Sequence, residues 1–214
     1  MIKKVSTILL LIVSISIVLL SAETIHVKAP SVTFEEDMAM LKGDATPVWL
    51  SKEDLVLEAA SMTLHKIGNR WRKVVAQERV HMILEDVSAT SGVLEYDLDI
   101  EEGEMREDVV IHTTMENSTE TILIWCDRLK INRKLEKYEG YMDEGNIRLL
   151  KGENTEIFSK RFILHRKENK IELLGDVYIN DRKNNRKIWA DKVLLYTEED
   201  RVIATNVRIE LEQD

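Results

Sequence analysis

The main pattern in this sequence is an alternation of apolar and polar positions that changes phase at a fixed place. In five segments a pair of apolar or small residues two positions apart is followed, three positions later, by a second such pair. Residues two apart on a strand share a face, so the step of three predicts a bend or bulge at one place in every copy. The copies are Leu57/Ala59/Met62/Leu64, Val87/Ala89/Gly92/Leu94, Ile124/Cys126/Leu129/Ile131, Ile157/Ser159/Phe162/Leu164 and Ile188/Ala190/Val193/Leu195.

A second, shorter pattern alternates with the first and predicts an entry strand. It places an apolar residue after an Asp, Asn or other polar residue, and in most copies a second apolar residue follows two positions later. Asp and Asn tolerate left-handed backbone, which suits a turn or bulge before a strand. The entry positions are Ala45, Val80, Val109, Ile147, Val177 and Val207, and the copy at Ala45 loses its alternation at Pro47.

Together the two patterns predict a repeat protein. The small residues before the phase change lie 30, 37, 33 and 31 positions apart, and self-similarity at this period is typical of repeat architectures. We therefore expect an all-β fold in which bent hairpins stack into two facing sheets. Such a fold is a β-jellyroll, or antiparallel V-shaped β-solenoid, of about six two-strand rungs.

A helical alternative exists in two places. Residues 51–54 resemble a capping box, and residues 121–139 can be drawn as an amphipathic helix. The phase change shared by five segments favours strands in both places.

The N-terminal residues have the pattern of a targeting signal. Lys3 and Lys4 precede an apolar run over residues 5–20, and Ser21 and Ala22 are small enough for a cleavage site. The run is shorter than the roughly 20 residues of a spanning helix. However, Leu20 occupies a position at which signal-peptide cleavage sites prefer a small residue. The alternative that the segment is not cleaved and serves as a membrane anchor therefore stays open. We predict a signal peptide or N-terminal membrane anchor over 1–22, a linker over 23–33 and one β domain over 34–214.

Composition and candidate chemistry narrow the function classes. The formal charge of −9 argues against nucleic acid as a partner, because the affinity of proteins for nucleic acids depends mainly on basic residues that neutralise the phosphates. Cys126 is the only cysteine, so an internal disulfide is excluded, and its place in the repeat predicts a buried, inert thiol. The histidines lack the spacing of metal ligands. The acidic run over 97–107 is interpreted as a hairpin tip rather than a calcium loop. We predict no enzyme activity, no metal and no cofactor.

Three C-terminal segments resemble a known family. They are residues 173–179 (LLGDVYI), 188–196 (IWADKVLLY) and 203–209 (IATNVRI), and in this order they resemble the OstA-like domain of the lipopolysaccharide-transport bridge proteins. The likeness is good over 170–211, fair over 122–166 and weak before Val87. It implies a β-jellyroll of V-shaped strands that is periplasmic or anchored to the inner membrane. It also implies that lipopolysaccharide passes along an apolar groove and that molecules join end to end through edge strands.

The expected function is therefore envelope lipid transport or bridging without catalysis. The cargo would be lipopolysaccharide or another acylated lipid, and the partners would be OstA-like or membrane transport components, or a second copy of the chain. The alternative is a structural or protein-binding β-solenoid of the cell envelope, in which the same residues pack a closed core. The candidate groove residues are Val177, Ile179, Ile188, Ala190, Val193, Leu195, Ala204, Val207 and Ile209.

Two further features have two interpretations each. The last strand, over 201–212, could accept a partner strand, or its charges Arg208, Glu210 and Glu212 could guard a monomer edge. Trp49, Trp71, Trp125 and Trp189 could contact acyl chains, or could serve structural packing.

Overall fold

The computed structural model describes residues 24–114, 120–199 and 201–211, which form eighteen β-strands and two short 3₁₀ turns. The predicted leader over 1–22 lies outside the described residues. The strands are β1 (His26–Lys28), β2 (Ser31–Phe34), β3 (Met38–Lys42), β4 (Val48–Lys52), β5 (Leu55–Ala59), β6 (Ser61–Ile67), β7 (Arg70–Leu84), β8 (Val87–Asp97), β9 (Glu102–Thr114), β10 (Thr121–Asn132), β11 (Lys137–Tyr141), β12 (Ile147–Lys151), β13 (Thr155–Ser159), β14 (Arg161–His165), β15 (Lys170–Asp181), β16 (Arg186–Tyr196), β17 (Arg201–Thr205) and β18 (Arg208–Leu211). The 3₁₀ turns cover Arg166–Glu168 and Arg182–Asn184.

All strands pair antiparallel in one sheet that folds into two arms. Arm I contains β1, β4, β5, β12, β13 and β18 together with the C-terminal halves of β7, β9 and β15 and the N-terminal halves of β8, β10 and β16. Arm II contains β2, β3, β6, β11, β14, β17 and the other halves of those six long strands. The predicted all-β jellyroll with bent strands is confirmed.

The bend joins the arms at the predicted positions. In the long strands the register shifts between Gln77 and Val80, Thr90 and Val93, Cys126 and Arg128, and Leu174 and Val177. In the other layers one or a few residues separate two short strands, as Lys160 separates β13 from β14. The backbone is left-handed at Asp108, Asp176 and Asn206, with φ of 53°, 47° and 54°, as expected from residues that tolerate this conformation.

The phase change keeps one apolar face toward the interior on both arms. Before the bend Ile124 and Cys126 are buried, and after it Leu129 and Ile131 are buried, with the flanking positions more exposed. The buried residues of both arms form one hydrophobic core along the stack. The helical alternatives are wrong, because residues 121–132 form β10 and residues 51–54 lie at the end of β4 and in the turn after it.

Three local expectations need correction or refinement. Ala45 is exposed in the loop before Pro47, and the strand there begins at Val48. At the second copy Ser91 and Leu94 face the core, whereas Gly92 lies half-buried at the bend against the side chain of Glu107. Part of the range 23–33, expected as a linker, forms β1 and most of β2, which pair with β4 and β3.

Two inward-facing glycines are covered by aromatic rings on the neighbouring strands. Gly140 lies opposite Phe162, and Gly103 lies opposite Tyr96. A Cβ atom at position 140 would lie 2.2 Å from Cε1 of Phe162 and 3.0 Å from Sγ of Cys126. The ring thus occupies the space that a side chain would need.

Gly140→Ala should lower the free energy of unfolding by about 1–3 kcal/mol, because the new methyl group overpacks this site. Urea denaturation measures the change. Adding Phe162→Leu should recover part of the loss, since the smaller side chain gives room.

Gly92→Ala is the comparison variant. Its new Cβ would lie 2.4 Å from Oε2 of Glu107, which can rotate away, and 2.9 Å from Cβ of the same residue, which needs a small shift. We expect a smaller loss of unfolding free energy there, about 1 kcal/mol or less, and no recovery when Phe162→Leu is added. Recovery by Phe162→Leu at both positions, or at neither, would contradict the packing explanation.

Candidate functional site

The nine predicted groove residues all lie in the last layers of the stack, on β15 to β18 or at the turn that precedes β18. Cross-strand register brings them together in rows: Val177 lies opposite Ala190, and Ile179 opposite Ile188, on arm I. Ile188 in turn lies opposite Ile209. On arm II Val193 lies opposite Ala204. Opposed residues in an antiparallel pair share a face, so these rows belong to the inner face of the fold.

Burial divides the nine residues into two groups. Val177, Ile179, Ile188, Ala190, Val193 and Leu195 are at most 7% exposed and pack the core. Ala204 is partly buried, whereas Val207 and Ile209 are 47% and 52% exposed because no strand among the described residues covers them. In this conformation the interior is filled by side chains, and its apolar lining is uncovered at the C-terminal end.

At the opposite end of the stack the described residues also leave the inner face uncovered. On β2, Val32 and Phe34 lie opposite Leu41 and Ala39, which belong to the core, and Phe34 is 71% exposed. An apolar hollow of about 480 Å³ opens there. Its lining residues are Ile25, Val27, Lys28, Ala29, Val32, Phe34, Ala39, Leu41, Leu64 and Trp71. Sequence reasoning missed this hollow, because the N-terminal third departs from the repeat pattern.

The edge between the arms that lies opposite the bend, here called the mouth, is crossed by polar contacts. The Arg133 guanidinium, in the turn between β10 and β11 on arm II, pairs with Glu53 at 3.0 Å and with Asp54, both in the β4–β5 turn of arm I. Arg166, in the β14–β15 turn, pairs with Asp86 in the β7–β8 turn. Lys52 of arm I donates to the carbonyl of Leu98 at 2.6 Å.

These contacts join residues that are 46 to 80 positions apart, which no local motif reveals. Several carboxylates cluster around Glu85 at the mouth. Burial raises the pKa of Glu85, and the carboxylates of Asp54, Glu136 and Asp86 raise it further. The hydroxyl of Tyr96 is buried beneath without a hydrogen-bond partner among the described residues, and burial raises its pKa. Charged side chains therefore line the mouth above an apolar interior, and the charge of Glu85 is unfavourable there.

The outer face of arm I carries a continuous row of opposed side chains. The row is Lys28, Trp49, Glu58, His81, Thr90, Val110, Trp125, Arg148, Phe158, Tyr178, Trp189 and Arg208. Arg208 lies 4.0 Å from the centroid of the Trp189 ring, and Arg148 lies 5.0 Å from that of Trp125. Such stacks stabilise exposed sheet faces by about 0.5–1 kcal/mol per pair. Three of the four tryptophans thus pack outside the core, and only Trp71 lines the N-terminal hollow.

The remaining candidate groups have ordinary structural surroundings. Cys126 is buried, as predicted, and burial raises the pKa of its thiol to about 12. The acidic run forms the β8–β9 hairpin, where Asp97 accepts hydrogen bonds from the N–H groups of Asp99 and Ile100. Within the described ranges no group of three or more potential ligands is arranged to hold a metal ion. The same residues include no helix with the length and apolar character needed to cross a bilayer.

Glu85→Gln should raise the melting temperature by about 1–2 °C at pH 7.5. A raised folded-state pKa means that the folded protein binds the proton more readily than the unfolded chain, so the charged form costs stability above that pKa. The benefit should disappear as the pH falls to about 4, where the native carboxyl is itself protonated.

Calorimetric melting at both pH values checks this. Glu78→Gln is the matched control, since Glu78 has a similar left-handed backbone but lies at the bend. A gain that is equal at both pH values, or equal in the two variants, would contradict the electrostatic account.

The chain was compared with known protein families, sequences and solved structures. No family model and no curated protein sequence matches the chain. Among solved structures the chain is similar to LptH, described as the LptA-homologous periplasmic component of the lipopolysaccharide transport device of Pseudomonas aeruginosa. The likeness covers 89% of this chain and 96% of that one, at 10% identity and a TM-score of 0.26. The assignment of a β-jellyroll therefore rests on the strand pairing described above.

Proposed function

We propose that the protein is a non-enzymatic transport or bridging component for acylated envelope lipids of the lipopolysaccharide type. It would act in the periplasm, or at the inner membrane if the N-terminal segment is retained. The nine predicted groove residues are proposed as part of the lipid path. Its partners would be OstA-like or membrane transport components, or further copies of the same chain.

The observation that carries this proposal is an apolar inner face that continues through both ends of the molecule. The core residues of both arms form one cluster, and the inward-facing residues of the terminal strands extend it into solvent. Phe34 at one end and Leu211 at the other are 71% and 68% exposed. Large apolar groups left uncovered at both ends of a stack are typical of interaction sites.

Acyl chains suit such a path on energetic grounds. Each CH₂ group removed from water contributes about 0.8 kcal/mol, so a chain of a dozen carbons supplies ample binding free energy. Because the lining residues already pack against one another, a lipid would have to replace these contacts rather than fill a void.

The terminal strands support association through their edges. β18 pairs only with β16, and β1 pairs only with β4, so each has one backbone edge unpaired in the described structure. The charged Arg208 and Glu210 lie opposite Trp189 and Lys187, on the outer face. These charges therefore do not shield the inner-facing Ile209, and a partner strand could extend the apolar face as well as the ladder.

A structural role without lipid is the second candidate. It is favoured by the complete burial of core residues such as Leu57, Ile124 and Leu173, since a filled interior needs no cargo. End-to-end association alone would then explain the exposed termini.

Lipid analysis separates the two candidates. The full chain is expressed with its N-terminal segment, purified without detergent, and extracted for mass spectrometry of bound lipid. The transport proposal expects co-purifying acylated lipid, released by competition with lipid A micelles. Lipid-free protein that takes up none from the micelles would instead establish the structural candidate.

Ile209→Lys should weaken end-to-end association at least tenfold, because it places a charge on the uncovered inner face. Sedimentation velocity over a concentration series measures association. Ile203→Lys is the matched control, since Ile203 lies opposite Leu194 on the outer face of the same end layer. Equal effects of the two substitutions would contradict a role for the inner face.

A further inference from the structure

The turns at the mouth end of arm II repeat one backbone geometry. The backbone N–H groups of Arg133, Arg166 and Thr197 donate to the carbonyls of Glu101, Glu136 and Asn169, each at 3.0 Å. Each acceptor belongs to the preceding turn of the same arm. The three donors therefore occupy equivalent backbone positions in successive layers beside the mouth.

The first two of these positions hold arginines that tie the arms together. The Arg166 side chain is 11% exposed, and it reaches Asp86 and the hydroxyl of Thr113 on arm I. The Arg133 side chain reaches Glu53 and Asp54 in the same manner. Breaking such partly buried pairs leaves charges without partners, which makes this part of the mouth costly to open.

The third position differs, because Thr197 turns its hydroxyl back to its own arm. Its Oγ1 donates to the carbonyl of Asn169 at 3.0 Å. Beside it a cavity of about 50 Å³ lies between the arms. This is room for one or two water-sized groups, enough for the tip of an acyl chain.

The cavity has an apolar floor and a charged rim. Ile157, Ile179, Ile188, Leu195 and Val202 lie in the lining, and they belong to the inner face described above. The charged lining residues are Glu120, Lys151, Asp181, Lys183, Arg186 and Arg201, four cations against two anions. This local excess of positive charge stands out on a chain whose formal charge is −9.

The individual charges show where an anion would bind. Arg186 pairs with Asp181 at 2.6 Å, Lys151 pairs with Glu120 at 3.2 Å, and Arg201 pairs with the neighbouring Glu199 at 2.7 Å. Lys183 makes no ion pair with any described residue and is exposed on the Arg182–Asn184 turn. An amphiphile that places its chain on the isoleucines would bring its head group to this lysine.

We propose that an anionic acylated lipid enters the interior sideways at the Thr197 cavity, while the Arg133 and Arg166 ion pairs keep the middle of the mouth shut. This rests on the proposed lipid-binding function and adds the place and direction of entry. Insertion of a full chain widens the cavity, and the neighbouring Arg166 pair limits how far the arms separate.

The test follows uptake of cis-parinaric acid, an anionic acyl probe that fluoresces in apolar surroundings, by the full chain in stopped flow. Thr197→Trp fills the cavity and should slow uptake at least fivefold. Arg166→Ala removes the adjacent ion pair with Asp86 and should increase the uptake rate severalfold. Thr205→Trp, at the bend end of β17, is the matched control and should leave the rate unchanged.

Thr197 is buried, so its replacement could prevent folding. Val202→Trp provides a second variant, because Val202 lines the same cavity from a strand position that is 36% exposed. Circular dichroism and melting temperature identify the variants that fold.

Head-group recognition has its own readout. Lys183→Glu should weaken binding of parinaric acid about tenfold and leave binding of its uncharged methyl ester unchanged. Lys130→Glu, on the outer face of arm II, should affect neither.

The outcomes separate the two proposals. Native uptake rates in folded Thr197→Trp and Val202→Trp proteins would show entry elsewhere, through the ends, and would overturn this inference alone. Equal loss of acid and ester binding in Lys183→Glu would overturn the rim assignment. No uptake by the native protein would overturn both this inference and lipid binding itself.

Discussion

The structure depends on one geometric constraint: a strand that crosses from one arm to the other must change phase to keep its apolar side chains inside. A straight strand would present its second half to solvent, since one residue of slip moves every side chain to the opposite face. The bend absorbs the extra residue, with left-handed backbone at Asp108 and Asp176 and register shifts in the neighbouring ladders. Every layer obeys this constraint, so the bends align along the stack and the two inner faces meet over its whole length.

Because the bends align, the two arms are connected differently at the bend and at the mouth. At the bend the arms are joined by continuous backbone in the six long strands, whereas across the mouth the described polar contacts are side-chain pairs such as those of Arg133 and Arg166. An opening motion of the arms, as the proposed lipid path requires, would therefore be a hinge about the bend. Access to the interior would then depend on a few charged residues rather than on the many apolar ones beneath them. A filled core and the proposed lipid path are compatible on this view, because the core residues would form the walls that separate on opening.

The fold was largely predictable from the sequence, because the phase change is a local signal repeated five times. Pairs such as Ile157/Ser159 and Phe162/Leu164 place the bend at Lys160 without knowledge of any neighbour. The same signal explains why eight of the nine groove candidates lie on strands, while Val207 lies in the turn before β18; their role in a groove stays a proposal. No local pattern shows which layer is last. Val207 and Ile209 carry the same motif as buried Val177 and Ile179, but they are exposed because none of the strands in the described ranges covers them.

The contacts across the mouth were missed for a related reason. Arg133 and Asp54, or Arg166 and Asp86, meet only after several layers have stacked, and each stands in a polar turn that resembles any other. The N-terminal hollow escaped notice because β1 and β2 are three and four residues long, too short to show an alternation. Long-range charge pairs and short edge strands follow from the assembled fold and leave little trace in a single segment.

The open inner face at each end has a consequence for how such molecules change in length. A layer contacts mainly its two neighbours, and the last layer exposes the surface on which another could be built. Duplicating a two-strand unit would lengthen the stack by roughly 10 Å, the spacing of two strands, without disturbing the layers already present. The length of the stack is thus proportional to the number of repeats. Gain or loss of one two-strand unit changes this length by a fixed step.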